Sequence, residues 1–155
     1  MTRKNTKNNT YYFVSRIGKN GRVYCLKNSG GETVYEAYRV ERESEDYVFN
    51  NKQAHKKFVH RISNTNHKNS DALLSTFTFD GLDVWMYLHM NDFTCQFTVV
   101  NDTQTVFRIY RSNTEVASAR KEITHDRTVY NILCEQELKI DIVFLIFFVF
   151  YKLDM

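Results

Sequence analysis

Ile142-Val143-Phe144-Leu145-Ile146-Phe147-Phe148-Val149-Phe150-Tyr151 is ten residues of uninterrupted apolar sequence, bounded by Asp141 and Lys152. A helix of that length extends about 15 Å, half of a bilayer core of ~30 Å. Extending the run to Leu138 and Ile140 brings in Lys139 and Asp141, which are costly in lipid. The segment is therefore not expected to span a membrane. A stretch apolar on every side has to be surrounded by protein. It can be a central strand, which its Ile, Val and Phe content favours, or a helix enclosed by strands. Periodicity alone does not separate the two in so short a run.

Outward from this segment the chain reads as strands and tight turns. Phe93-Thr94-Cys95-Gln96-Phe97-Thr98-Val99 alternates apolar and polar residues without a break, the pattern of a strand with one face on a core. Val84 to Met90 fits the same period, with Val84, Met86, Leu88 and Met90 on one side. Turn signals fall at Gly18-Lys19-Asn20-Gly21, Asn28-Ser29-Gly30-Gly31, Asp80-Gly81, Asn91-Asp92, Asn101-Asp102, Ser112-Asn113 and His125-Asp126. Asp-Gly is a strong tight-hairpin signal, and the overall spacing suits a meander, sandwich or barrel. Thr33-Val34-Tyr35-Glu36-Ala37-Tyr38-Arg39 is echoed by Thr105-Val106-Phe107-Arg108-Ile109-Tyr110-Arg111. The echo fits either two related halves or chance among similar strands.

Bulk composition agrees. Aromatic residues reach 15%, with 12 Phe and 10 Tyr, and there is no proline to break a ladder. With 43% hydrophobic and 25% charged residues, the 155-residue chain reads as one globular domain. Met1 to Thr10 is polar and lacks the apolar stretch of a secretory signal. It is expected to be a disordered lead, residues 1–10, before a single domain at 11–155. Cys25, Cys95 and Cys134 are scattered, odd in number and without CxxC spacing, which predicts reduced thiols in a cytosolic protein.

No sequence motif carries catalysis. There is no G-x-S-x-G elbow, P-loop or G-x-G-x-x-G. His55 and His60, five apart, share neither a helix face nor a strand face, so no metal site or cofactor is expected. Asp80-Gly81-Leu82-Asp83 lacks the ligand set of a calcium loop. The reading is a protein that is not an enzyme.

One stretch stands out by charge. Lys52, Lys56, Lys57, Arg61 and Lys68 lie within seventeen residues that hold no carboxylate, in a chain of net charge +3. His55, His60 and His67 lie among them. Such a run is either an ordinary solvated face or an anion-attracting patch, in which each cation near an anionic leaflet contributes ~1 kcal/mol. A nucleic-acid surface is not expected, since Phe58 is the one aromatic residue available for stacking there. The stretch reads as a strand or short helix running into a loop at Ser63-Asn64-Thr65-Asn66.

The last third of the chain resembles the tubby C-terminal-like superfamily, in particular its LURP-one-related branch. Asn101-Asp102 leading into Val106-Phe107-Arg108-Ile109 resembles the family's turn followed by a V-x-x-V strand. Glu115-Val116-Ala117-Ser118-Ala119-Arg120-Lys121 resembles its E-V-A-x-x-x-K strand, and Tyr130-Asn131-Ile132 its closing Y-x-I strand. Ile142 to Tyr151 takes the place of its apolar C-terminal helix. The resemblance implies a mainly β fold, a closed antiparallel barrel of about twelve strands around that helix. It also implies a non-enzymatic binding or scaffold protein, cytoplasmic and peripheral to a membrane, with anionic phospholipid as partner. The alternative is a lipocalin-like carrier of a small apolar ligand, whose barrel interior holds ligand rather than a helix.

Overall fold

A computed structural model describes residues 8–64, 77–125 and 127–153. Eleven strands form one antiparallel sheet among these residues, in the order β7-β6-β5-β4-β3-β2-β1-β11-β10-β9-β8. The strands are β1 (Asn8–Gly18), β2 (Gly21–Asn28), β3 (Thr33–Arg39), β4 (Asp46–Asn51), β5 (Lys56–Asn64), β6 (Phe77–Phe79), β7 (Leu82–Asp83), β8 (Phe93–Asn101), β9 (Gln104–Arg111), β10 (Thr114–Thr124) and β11 (Arg127–Glu135). Two helices complete the fold, α1 (Val84–Met90) and α2 (Ile140–Lys152). Nearly every step in the sheet is a hairpin between consecutive strands; the exception is β1 against β11, which joins the two halves.

The turn chemistry accounts for the hairpins. Asp80 and Gly81 both have positive φ, 51° and 80°, between paired Phe79 and Leu82. This is the two-residue turn that Asp-Gly favours. Gly18 pairs with Gly21 across Lys19-Asn20, and Ser112 takes φ 56° between β9 and β10.

The apolar run is a helix, and it lies inside the sheet. Val143 to Phe150 are all buried. Phe144 packs on Phe13 of β1, Tyr35 of β3 and Phe49 of β4, with ring centroids 5.4, 4.5 and 5.7 Å apart. Phe148 meets Tyr24 of β2 and Tyr47 of β4. On another face, Phe147 meets Tyr130 of β11 and Phe150 stacks on Phe107 of β9. Strands from both halves of the sheet thus touch one thirteen-residue helix, so the sheet curls about it. No helix among the described residues is long and apolar enough to cross a membrane.

Several expectations need correction. Among the described residues hydrogen bonding does not close the sheet, which has eleven strands with β7 and β8 as its edges, so the expected closed barrel is present only as a curled open sheet. The expected strand at Val84 to Met90 is helix α1. Val84, Tyr87 and Leu88 sit at helical spacing i, i+3 and i+4 and pack on the core, whereas Met86 and Met90 are exposed. The Asp83 carboxylate accepts a hydrogen bond from the Met86 amide at the start of the helix. α1 connects the two edge strands β7 and β8 along the chain and contacts both. Seven residues of helix extend about 10 Å.

The expected disordered lead is too long, because β1 already begins at Asn8 and pairs there with Glu135. Residues 1–7 lie outside the described residues. β8 keeps only part of its expected core face. Phe93 is buried, but Phe97 is 48% and Val99 65% exposed. As an edge strand among the described residues, β8 has β9 on one side and no strand on the other.

Candidate functional site

The basic stretch is divided by the local fold. Lys52 to His55 form the β4–β5 turn, shaped by Asn51, whose side-chain carbonyl accepts the Ala54 amide at 3.1 Å. His55 takes φ 53°. β5 then pairs Lys56 with Asn51, Phe58 with Phe49 and His60 with Tyr47. Phe49 and Tyr47 point into the core, so Lys56, Phe58 and His60 share the inner face of the sheet. Lys57, Val59 and Arg61 alternate onto the outer face. Of the expected loop Ser63-Asn64-Thr65-Asn66, the first two residues are still strand, pairing with Thr78 and Phe77, and Thr65-Asn66 lie outside the described residues.

Ion pairing divides the stretch further. Lys52 Nζ lies 3.7 Å from Glu36 Oε1, and Arg61 Nε lies 3.3 Å from Asp46 Oδ1. Lys56 and Lys57 are exposed and make no ion pair among the described residues. Lys68 and His67 lie outside the described residues. What the fold gathers at this place is therefore Lys56-Lys57-Phe58-Val59, two cations followed by apolar side chains that are 42% and 62% exposed. Lys56 to His60 have a strand neighbour on one side only among the described residues.

Below the inner face of β5 is a cavity of about 220 Å³ with aromatic walls. Phe49, Phe58, His60, Phe79 and Tyr87 line it, with Tyr35 and Leu145 deeper and Asp141 and Ile142 beside them. The rings run in series: Phe58 to His60 at 6.0 Å, His60 to Phe79 at 4.4 Å, Phe79 to Tyr87 at 5.7 Å. The Asp80 carboxylate fixes His60, bonding its Nδ1 and also accepting the Arg61 amide at 2.9 Å. Asp141, in the first turn of α2, is exposed. Asn51 Nδ2 donates to its Oδ1 at 3.4 Å, and the Tyr35 hydroxyl hydrogen-bonds it. Burial, followed by that bond, raises the Tyr35 pKa far above the usual phenol range. This pocket is not legible along the chain, because its walls come from β3, β4, β5, β6, α1 and α2.

A larger cleft of about 510 Å³ lies beyond the start of α2, between Asn8, Asn9, Asn28, Gln53 and the 136–140 segment. Its walls are mostly uncharged polar groups, which offer hydrogen bonds but no focused charge. Among the described residues, no group of three or more His, Cys, Asp or Glu is placed to hold a metal ion. The three cysteines are free thiols, and burial raises the pKa of each. Comparison with protein families, with curated proteins and with solved structures finds no match to this chain.

Proposed function

We propose that the chain is a non-enzymatic binding module that docks on anionic phospholipid through the β4–β5 turn and the first half of β5. The carrying observation is the exposed sequence Lys56-Lys57-Phe58-Val59, whose side chains alternate to both faces of a strand that has a partner on one side only among the described residues. Cations are drawn to an anionic leaflet, and the apolar side chains beside them gain by entering the headgroup boundary. The resemblance to the tubby C-terminal-like superfamily supports the same reading. In that reading the curled sheet is a barrel of the tubby kind with α1 in its seam, and the protein is cytoplasmic and peripheral to the membrane. The helix α2 occupies the place where a lipocalin-like carrier holds its ligand, which favours surface binding over interior carriage.

The test is co-sedimentation with anionic and with neutral liposomes at low and physiological salt. A variant carrying Lys56→Glu and Lys57→Glu is expected to bind anionic liposomes about 30-fold more weakly at low salt, since each cation contributes ~1 kcal/mol. Binding of the wild type should weaken as the Debye length shortens to ~8 Å at 0.15 M. Equal binding by wild type and variant, or no binding at low salt, overturns the reading.

A further inference from the structure

The aromatic cavity beneath β5 has a composition that selects for charge as well as for apolar surface. The rings of Tyr87, Phe79 and Phe58 line one small space, with His60 between Phe58 and Phe79. Phe49 forms the floor, 5.6 Å from Phe79 and 5.4 Å from His60. An aromatic face carries negative quadrupolar charge, so several rings around one cavity attract a cation and repel an anion. Asp141 adds a full negative charge at the opening. It is held there by Tyr35 and Asn51, and it keeps solvent exposure. An apolar guest of the same size would fill the cavity but leave the carboxylate without a counter-charge.

We propose that this pocket binds a small organic cation of the trimethylammonium type, caged by the rings of Phe58, Phe79 and Tyr87 and paired with Asp141. A quaternary ammonium suits such walls, because its charge is spread over methyl groups that also bury apolar surface. The compact, strongly hydrated ammonium of a lysine is a poorer guest, since it must give up its water without gaining hydrogen-bond acceptors from the rings. The site overlaps the membrane-docking residues proposed above at Phe58 alone, so the two proposals can fail independently.

The experiment follows backbone amide resonances of the full chain on titration with choline. A parallel titration uses 3,3-dimethylbutan-1-ol, which has the shape of choline without the charge. Choline is expected to shift resonances around Phe58, Phe79 and Tyr87 in a saturable way, with at least tenfold higher affinity than the neutral alcohol. Asp141→Asn keeps a side chain that can bond Tyr35 but removes the charge; it should weaken choline about fivefold and leave the alcohol unchanged. Tyr87→Leu should also weaken choline about fivefold. A further arm adds phosphatidylcholine vesicles. Vesicle binding that Asp141→Asn weakens about as much as it weakens choline identifies the cation as a lipid headgroup, whereas choline binding without vesicle binding identifies a soluble cation. Equal affinity for choline and the neutral alcohol overturns the proposal, as does the absence of saturable shifts at the pocket.

Discussion

Burial favours the neutral forms of a set of tyrosine and cysteine side chains inside this fold. The Tyr24 hydroxyl is pushed up to about 12 by burial, with Tyr47 and Tyr151 adding to the effect. Burial alone raises Cys95 to about 12; burial and then Glu135 raise Cys134 to about 11. In the unfolded chain these groups return to ordinary values of 10.0 for tyrosine and 9.0 for cysteine. A raised folded pKa means that only the unfolded state loses protons just above pH 9, so unfolding becomes easier as pH rises. Each group lowers stability by ~1.4 kcal/mol per pH unit between its unfolded and folded values. Chemical denaturation at pH 7, 8 and 10.5 should therefore show no loss from these groups between the first two and a clear loss at the third. Iodoacetamide at pH 8 should leave the native thiols unmodified and label all three once the chain is unfolded. Equal stability at pH 8 and 10.5, or rapid labelling of the native chain, would contradict this account.

At the scale of single elements, α1 is the sharpest case. A strand from Val84 to Met90 would put Val84, Met86, Leu88 and Met90 on one face with equal burial. The helix instead buries Val84 and Leu88 and leaves Met86 at 44% and Met90 at 68% exposure. Leu88→Ala is expected to cost 2–5 kcal/mol, and Met90→Ala well under 1 kcal/mol. Urea denaturation of the two variants measures that difference, and similar costs would restore the strand. The echo between Thr33–Arg39 and Thr105–Arg111 also has a structural counterpart. Tyr35 and Phe107 occupy equivalent positions in it, and each stacks on a phenylalanine of α2, at 4.5 Å on Phe144 and 4.6 Å on Phe150. The two segments, β3 and β9, place an aromatic ring against the same helix from opposite halves of the sheet.

For the molecule as a whole, α2 is the core around which everything else is arranged. It contributes eight buried residues, from Val143 to Phe150. At ~1.5–3 kcal/mol for a fully buried apolar side chain, their removal forfeits roughly 12–24 kcal/mol, comparable to or larger than the ~5–15 kcal/mol by which a domain is ordinarily stable. A curled sheet without its helix would also expose the rings of Phe13, Tyr35, Phe49 and Phe107. Truncation of residues 140–155 is accordingly expected to give insoluble protein, or a chain with no cooperative thermal transition by circular dichroism. A truncated chain that remains monodisperse and melts cooperatively would show that the helix is dispensable.

The sequence by itself determined the elements whose reason for existing is local. Ten apolar residues flanked by Asp141 and Lys152 had to be enclosed by protein, and Asp80-Gly81 had to turn tightly between two strands. Tertiary structure decided matters that depend on neighbours. Seven residues at Val84 to Met90 suit either period. Helix prevails because Val84, Tyr87 and Leu88 find the core between two sheet edges. Five cations in seventeen residues looked like one patch. Strand alternation separates Lys56 from Lys57, and Glu36 and Asp46, distant in sequence, take up Lys52 and Arg61. The aromatic pocket was invisible in the sequence for the same reason. Its rings lie on segments that only the curl of the sheet around α2 brings within contact, since side-chain pairing across strands is set by register and not by distance along the chain.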